Sequence, residues 1–139
     1  MRLIFVFALV VLSTLNAEAG RCVADRWGDF YCAKNQLGSA ILDRWGDPMC
    51  GAGQCILNKW GDAMCSPFDG GGATEDHWGE VKSGQGNCAT DRWQNVFCSR
   101  ILYGAAQRDS WGDVVCQGGC SPGVPAARAT VNACDRLSP

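Results

Sequence analysis

Six tryptophans stand at the same point of one repeated motif, and their side chains are well suited to binding. The motif begins as DRWGDFYC at residues 25–32 and returns with variations around every tryptophan of the chain. An indole offers a flat apolar face for a sugar ring, and the adjoining Arg and Asp side chains can hydrogen-bond its hydroxyl groups. The candidate ligand-binding residues are Trp27, Trp45, Trp60, Trp78, Trp93 and Trp111, with Arg26, Arg44 and Arg92.

A second interpretation gives the same rings a structural role. Six exposed indoles would reduce solubility, so each ring could instead pack over the neighbouring copy of the motif. The cations of the motif would then stack on the rings or pair with acidic side chains. The residues concerned are Arg26, Arg44, Lys59 and Arg92, and the acids Asp29, Asp47, Asp62 and Asp91. The sequence leaves both interpretations open.

Catalysis has little support in the sequence. His77 is the only histidine, so any Ser–His or Cys–His arrangement must use it, and no serine motif or second base accompanies it. The many carboxylates come from the repetition of the motif rather than from a paired acid and base. We therefore expect no enzymatic activity, and a secreted hydrolase using His77 and nearby acids is the alternative.

No metal or cofactor is expected either. Asp25 and Asp29 could share a calcium ion, but calcium needs about six to eight oxygen ligands and no calcium-loop motif is present. The segments CGAGQC and CQGGC resemble zinc-ligand spacings. In a chain with 10 cysteines, one histidine and an export signal, however, disulfides are the better explanation.

The N-terminus predicts export. Residues 1–19 combine the positive charge of Arg2, the apolar run LIFVFALVVL and the small-residue end Ala17-Glu18-Ala19, as a signal peptide does. We expect cleavage after Ala19 and a secreted or periplasmic protein. No later stretch approaches the roughly 18 to 20 apolar residues of a membrane span.

Charge narrows the class of partner. The formal net charge is −2 and no run of Lys or Arg occurs, which disfavours nucleic acid because its phosphates need a basic surface. The expected function is therefore non-enzymatic binding. A glycan or cell-envelope polymer is the expected partner, and a protein surface is the alternative.

The spacing of the tryptophans defines an internal repeat. Successive steps are 18, 15, 18, 15 and 18 residues, so the period is 33 residues with two copies of the motif in each unit. The units are 22–54, 55–87 and 88–120. Residues 20–120 thus form the repeat domain, and 121–139 form a C-terminal cap or tail.

Each copy of the motif predicts a β-hairpin. Asp25 precedes a three-residue loop that ends with Gly28 in the left-handed conformation, and Asp29 closes the loop from the other side. Asp or Asn at the first position accepts hydrogen bonds from the turn's own backbone. Counting outward places Cys22 opposite Cys32, where a cross-strand disulfide can form.

Ten cysteines predict five disulfides. The hairpin count pairs Cys22 with Cys32, Cys55 with Cys65 and Cys88 with Cys98. Of the remaining four, we expect Cys120 to pair with Cys134, which closes the C-terminal segment, and Cys50 with Cys116. The last pair would be too far apart in a straight row of hairpins. The sequence therefore predicts a small disulfide-rich all-β protein of six hairpins, with a closed three-unit arrangement favoured over an open stack.

The fourth copy of the motif departs most from the others. It is the most polar, with Glu75, His77, Lys82 and Ser83, and in the next copy Gln94 replaces the turn glycine. We expect the fourth hairpin to be loose or specialised. The expected apolar core residues are Ile41, Leu42, Ile56, Leu57 and Phe97.

Overall fold

The structure, a computed structural model, describes residues 20–138. The predicted signal peptide at 1–19 lies outside the described residues. The fold is all-β, as predicted, and the first twelve strands form six hairpins. These strands are β1 (Cys22–Ala24), β2 (Phe30–Ala33), β3 (Ser39–Leu42), β4 (Pro48–Gly51), β5 (Cys55–Leu57), β6 (Ala63–Cys65), β7 (Gly72–Glu75), β8 (Val81–Gly84), β9 (Cys88–Thr90), β10 (Val96–Ser99), β11 (Ala106–Arg108) and β12 (Val114–Cys116). Within residues 20–138 no helix is long and apolar enough to cross a membrane.

The register of the hairpins agrees with the prediction. Cys22 lies opposite Cys32 and Ala24 lies opposite Phe30, and the third and fifth hairpins repeat this pairing. The three predicted cross-strand disulfides are present, each joining Cα atoms 4.0 Å apart. Local turn chemistry therefore sets the register, and the register places the cysteines.

The turn is the same in all six hairpins. In the first, one carboxylate oxygen of Asp25 accepts hydrogen bonds from the backbone N–H groups of Trp27 (2.9 Å) and Asp29 (3.0 Å). The Gly28 N–H donates to the Asp25 carbonyl, which closes the loop. The equivalent side chains are Asp43, Asn58, Asp76, Asp91 and Asp109.

The hairpins form an open row, so the prediction of a closed arrangement is wrong. Each hairpin packs against the next one along the chain, from the first to the sixth. The connections between hairpins alternate between long loops, at 34–38, 66–71 and 100–105, and three-residue loops at 52–54 and 85–87. This alternation of loop length accounts for the steps of 18 and 15 residues between tryptophans.

The C-terminal segment 120–136 runs back along the whole row, and we call it the strap. It contains β13 (Cys120–Pro122), β14 (Val124–Pro125), β15 (Ala127–Arg128), the 3₁₀ turn Val131–Ala133 and β16 (Cys134–Arg136). These strands pair in turn with β10, β8, β6 and, last, β2. Thr130 makes a single bridge to Cys50 in β4. The strap thus supplies backbone partners to one edge of the first five hairpins. Without it, these unpaired strand edges could pair with another chain.

The strap also explains the four cysteines whose pairing the sequence leaves uncertain. The predicted pairs Cys50–Cys116 and Cys120–Cys134 are wrong, because Cys50 pairs with Cys134 and Cys116 with Cys120. Both bonds join a hairpin to the strap. At the equivalent position of the fourth hairpin, the Ser83 hydroxyl donates to the Val124 carbonyl of the strap (3.2 Å). One position in each even-numbered hairpin therefore anchors the strap.

The core is built from small side chains. The largest fully buried ones are cysteines and serines: Cys50, Cys55, Cys65, Cys98, Ser66, Ser83 and Ser99. A Cβ atom on Gly51 would clash with the Cβ of Cys65. The backbone of the second hairpin therefore packs directly against the disulfide of the third. Such close approach leaves no room for large aliphatic groups. Leu57 is 37% exposed, and Ile41, Leu42, Ile56 and Phe97 are only partly buried.

Candidate functional site

The six hairpin tips lie side by side and carry the tryptophans along one edge of the row. We call this set the tryptophan row: Trp27, Trp45, Trp60, Trp78, Trp93 and Trp111. Their exposed fractions range from 55% to 78%. The interpretation that each ring is covered by a neighbouring hairpin is therefore wrong, since a packed ring would have lost most of its accessible surface.

A cation lies over the tryptophan of its own tip in four hairpins, as expected from the sequence. Arg92 approaches closest, with its guanidinium carbon 4.0 Å from the centre of the Trp93 ring. The corresponding distances are 5.6 Å for Arg26 and Trp27, 4.9 Å for Arg44 and Trp45, and 4.3 Å for Lys59 and Trp60. Such contacts contribute about 0.5 to 1 kcal/mol at exposed sites, and they restrict the orientation of each ring.

Backbone hydrogen bonds join neighbouring tips and set their separation. The N–H groups of Arg44, Lys59 and Arg92 donate to the carbonyls of the next tip's glycine, at 2.8 to 3.2 Å. The acceptors are Gly61, Gly79 and Gly112. Tips joined in this way are about as close as paired strands, roughly 5 Å apart. The tips are therefore held close together at these three steps.

Ion pairs add further links between tips. Arg26 reaches Asp47 of the second tip (3.4 Å), and Arg44 reaches Asp62 of the third (4.0 Å). Asp29, expected to pair within the tips, is instead held by Arg136 of the strap (3.0 Å). These pairs are solvent-exposed and each contributes little stability, typically about 0.2 to 1 kcal/mol. Their main effect is to align Asp47 and Asp62 beside the rings.

The tip glycines allow a left-handed backbone and, at some tips, close contact with the neighbouring tip. A matched pair of variants distinguishes these two roles. Gly28 and Gly61 are both left-handed, with φ of +83° and +79°. A Cβ on Gly28 would have no neighbour within 4 Å, whereas a Cβ on Gly61 would lie 2.8 Å from the Cβ of Arg44. We expect Gly28→Ala to cost about 1 kcal/mol for the backbone conformation alone. Gly61→Ala should cost about 1 kcal/mol more, because the Arg44–Gly61 hydrogen bond must lengthen.

Urea unfolding of the two alanine variants beside the wild type measures this difference. Equal losses of unfolding free energy would show that the tips do not pack on one another as described.

The row opens between the fourth and fifth tips. Within residues 20–138 this is the one step without either a backbone hydrogen bond or an ion pair between the tips. A cleft of about 460 Å³ lies there, lined by residues of these two tips and by Lys59 of the third tip. The lining includes Glu75, Asp76, His77, Trp78, Thr90 and Gln94. Gln94 keeps the left-handed conformation of the glycine it replaces, with φ of +62°.

His77, on which the hydrolase alternative depends, lies on the wall of this cleft. Its ring lies beside Trp78, with 4.3 Å between ring centres. All ten cysteines form disulfides, so no thiol is available as a nucleophile. The Asp76 carboxylate is engaged by the N–H groups of Trp78 and Glu80. Residues 20–138 contain no cluster of three His, Cys, Asp or Glu side chains suited to a metal ion.

Sequence reasoning finds part of this surface and misses part. The structure brings the tryptophans together with Arg26, Arg44 and Arg92 along one edge of the row. All of them belong to the turn of the repeated motif. Thr90, which lines the cleft, carries no signal in the sequence because it lies outside the turn. The polar residues of the fourth copy are the clue that a cleft exists there.

Comparison with known proteins identifies no relative. No protein-family model, no curated protein and no solved structure matches the chain.

Proposed function

We propose that this protein binds a glycan or another cell-envelope polymer through the tryptophan row, outside the cytoplasm and without catalysing a reaction. The observation that carries the proposal is the exposure of all six indoles, 55% to 78%, on one edge of a row in which they could have been buried. Contiguous exposed apolar surface on a small protein commonly marks an interaction site.

The surface matches a sugar polymer in its chemistry. Indole faces can contact the apolar faces of sugar rings, while the carboxylates of Asp47 and Asp62 and the guanidinium of Arg44 can hydrogen-bond hydroxyl groups. Repetition of the same tip along one edge suits a ligand that itself repeats. A folded protein partner would more commonly meet a compact patch with a few dominant side chains.

The compartment is consistent with a cell-envelope or extracellular partner. Five disulfides are present, and disulfides persist in oxidising environments such as the periplasm and the extracellular medium. Export through a signal peptide at residues 1–19, followed by secretion or release into the periplasm, is part of this proposal.

Tryptophan fluorescence tests the proposal directly, because the proposed contacts are the fluorophores themselves. Soluble oligosaccharides of several linkages and peptidoglycan fragments should shift or quench the indole emission in a saturable way. Trp45→Ala and Trp111→Ala should each weaken binding about threefold to tenfold, since one aromatic contact contributes on the order of 1 kcal/mol.

Tyr103→Ala is the matched control. Tyr103 is an exposed aromatic, 61% accessible, in a connection at the opposite end of the hairpins. The Tyr103→Ala variant should leave the binding unchanged. Absence of any response of the wild type across the panel, or equal effects of the tyrosine and tryptophan variants, would contradict the proposed function.

A further inference from the structure

We propose that the cleft between the fourth and fifth tips is the anchoring subsite of the tryptophan row and that it holds one neutral hexose ring of the bound polymer. This inference rests on the proposed function and adds a location and a ligand class to it. The cleft has a volume of about 460 Å³. That lies within the range of roughly 300 to 1,000 Å³ typical of small-molecule sites.

Two substitutions in the motif meet at this step of the row. His77 stands where the other tips carry Arg, Lys or, in the sixth, Ser110, and Gln94 stands where every other tip carries glycine. The hydrogen bond that joins three other pairs of tips is missing here among the described residues. Both substitutions therefore fall at the step where the row is open.

A side chain at position 94 is incompatible with the close contact seen at the three bonded steps. The first two tips also lack this hydrogen bond, although Gly46 stands there. At the three bonded steps, a Cβ on the acceptor glycine would lie 2.6 to 2.8 Å from the side chain of the preceding cation. A glutamine cannot be placed that close to the preceding tip. Its left-handed backbone, with φ of +62°, also costs energy that glycine would avoid. Strained residues of this kind concentrate at functional sites.

The lining suits an uncharged sugar ring. Trp78, 65% exposed, forms an aromatic wall, and the Gln94 amide and the Glu75 carboxylate can bond ring hydroxyls as donor and acceptors. Lys59 and Glu75 carry opposite charges. Asp76 adds a further negative charge, and one of its carboxylate oxygens accepts the N–H groups of its own turn. The lining is therefore not basic, which disfavours an anionic sugar.

The single histidine gives this cleft its own reporter. In a tag-free protein the imidazole signals in the NMR spectrum come from His77 alone, and His77 lines the cleft. We would titrate the protein with the tetrasaccharides of cellulose, mannan, starch and chitin. The tetrasaccharide that changes the indole emission should shift the His77 signals at the same concentrations.

Gln94→Gly restores the residue of the other five tips and should fold at least as well as the wild type. It should weaken binding of that tetrasaccharide about tenfold, the equivalent of one lost polar contact, and abolish the His77 response. Trp78→Ala should show a similar loss. The control Trp111→Ala removes an equally exposed indole from the end of the row and should weaken binding less than either.

The possible results separate the two proposals. If Gln94→Gly binds as the wild type does while Trp78→Ala and Trp111→Ala are equally impaired, the row binds sugar but the cleft is no special subsite. A wild-type protein whose indoles respond while His77 does not would overturn the subsite in the same way. If no tetrasaccharide changes either signal, both the subsite and the glycan-binding function are wrong.

Discussion

Replacing Cys50 and Cys134 with serine is expected to lower the free energy of unfolding by about 4.5 kcal/mol. The disulfide between them closes a loop with a sequence separation of 84 residues, the longest in the protein, so its loss gives the unfolded chain the most freedom. It also releases the end of the strap from the second hairpin. A loss of this size is a large fraction of the roughly 5 to 15 kcal/mol that stabilises a typical domain.

The other bond between the strap and a hairpin provides the control. Cys116 and Cys120 are separated by 4 residues, and their double serine variant should lose only about 2 kcal/mol on the same entropic basis. Guanidinium unfolding of both double variants measures the contrast. Hydrogen exchange should accelerate in β15 and β16 of the Cys50 and Cys134 variant only. Equal losses in the two variants would show that loop closure by the strap is not a main source of stability.

Reduction of all five disulfides extends the same argument. The three hairpin disulfides close loops with a separation of 10 residues and should contribute roughly 2.5 to 3 kcal/mol each. Together with the two strap bonds the contribution is about 14 to 15 kcal/mol, as much as the whole stability of the most stable typical domains. The core of alanine, cysteine, serine and glycine buries too little apolar surface to compensate, so the reduced chain should unfold.

The parts of the fold that follow from the sequence are those governed by local interactions. Asp25, Gly28 and Asp29 define a turn whose hydrogen bonds involve residues no more than four positions apart. The turn determines the strand register, and the register brings Cys22 to Cys32. The same reasoning places each tryptophan at the tip of its hairpin, but not the tips along one edge, which follows from the open row.

The strap could not be predicted in the same way. Residues 120–136 lack the motif, and their partners lie far away in sequence, as the Cys50–Cys134 bond shows. The preference for a closed arrangement depends on a Cys50–Cys116 pair, and the structure pairs both cysteines differently. A signal was nevertheless available: β2, β6, β8 and β10 each have an outer edge that needs backbone partners. Pro122 and Pro125 also fit a strand paired on one side only.

The cleft required the packing of neighbouring tips to be known. Sequence alone identifies Gln94 as a costly departure from glycine, and the structure keeps the left-handed conformation that makes it costly. What the sequence does not contain is the distance between tips. Only the close approach of Arg44 to Gly61 shows why a side chain at the glycine position must force two tips apart.

Binding is expected to strengthen steeply with the length of the polymer, because the tryptophans form a row rather than a single pocket. Once one ring holds a sugar unit, neighbouring rings meet the next units at high effective concentration, which can raise overall affinity by 10² to 10⁴ without new kinds of contact. An oligosaccharide long enough to cover several tips should therefore bind about 100-fold more tightly than a disaccharide of the same linkage.

A triple variant tests whether this gain comes from the row. Replacing Trp27, Trp60 and Trp93 with alanine leaves Trp78 and its cleft in place, so disaccharide binding should change little, while most of the length-dependent gain should disappear. Because these rings are 55% to 78% exposed, each substitution should lower the free energy of unfolding by only about 0.5 to 1 kcal/mol, the contribution of the lost cation contact. Isothermal titration with oligosaccharides of two to ten units measures the dependence. An unchanged gain in the triple variant would mean that a single site, rather than the row, recognises the polymer.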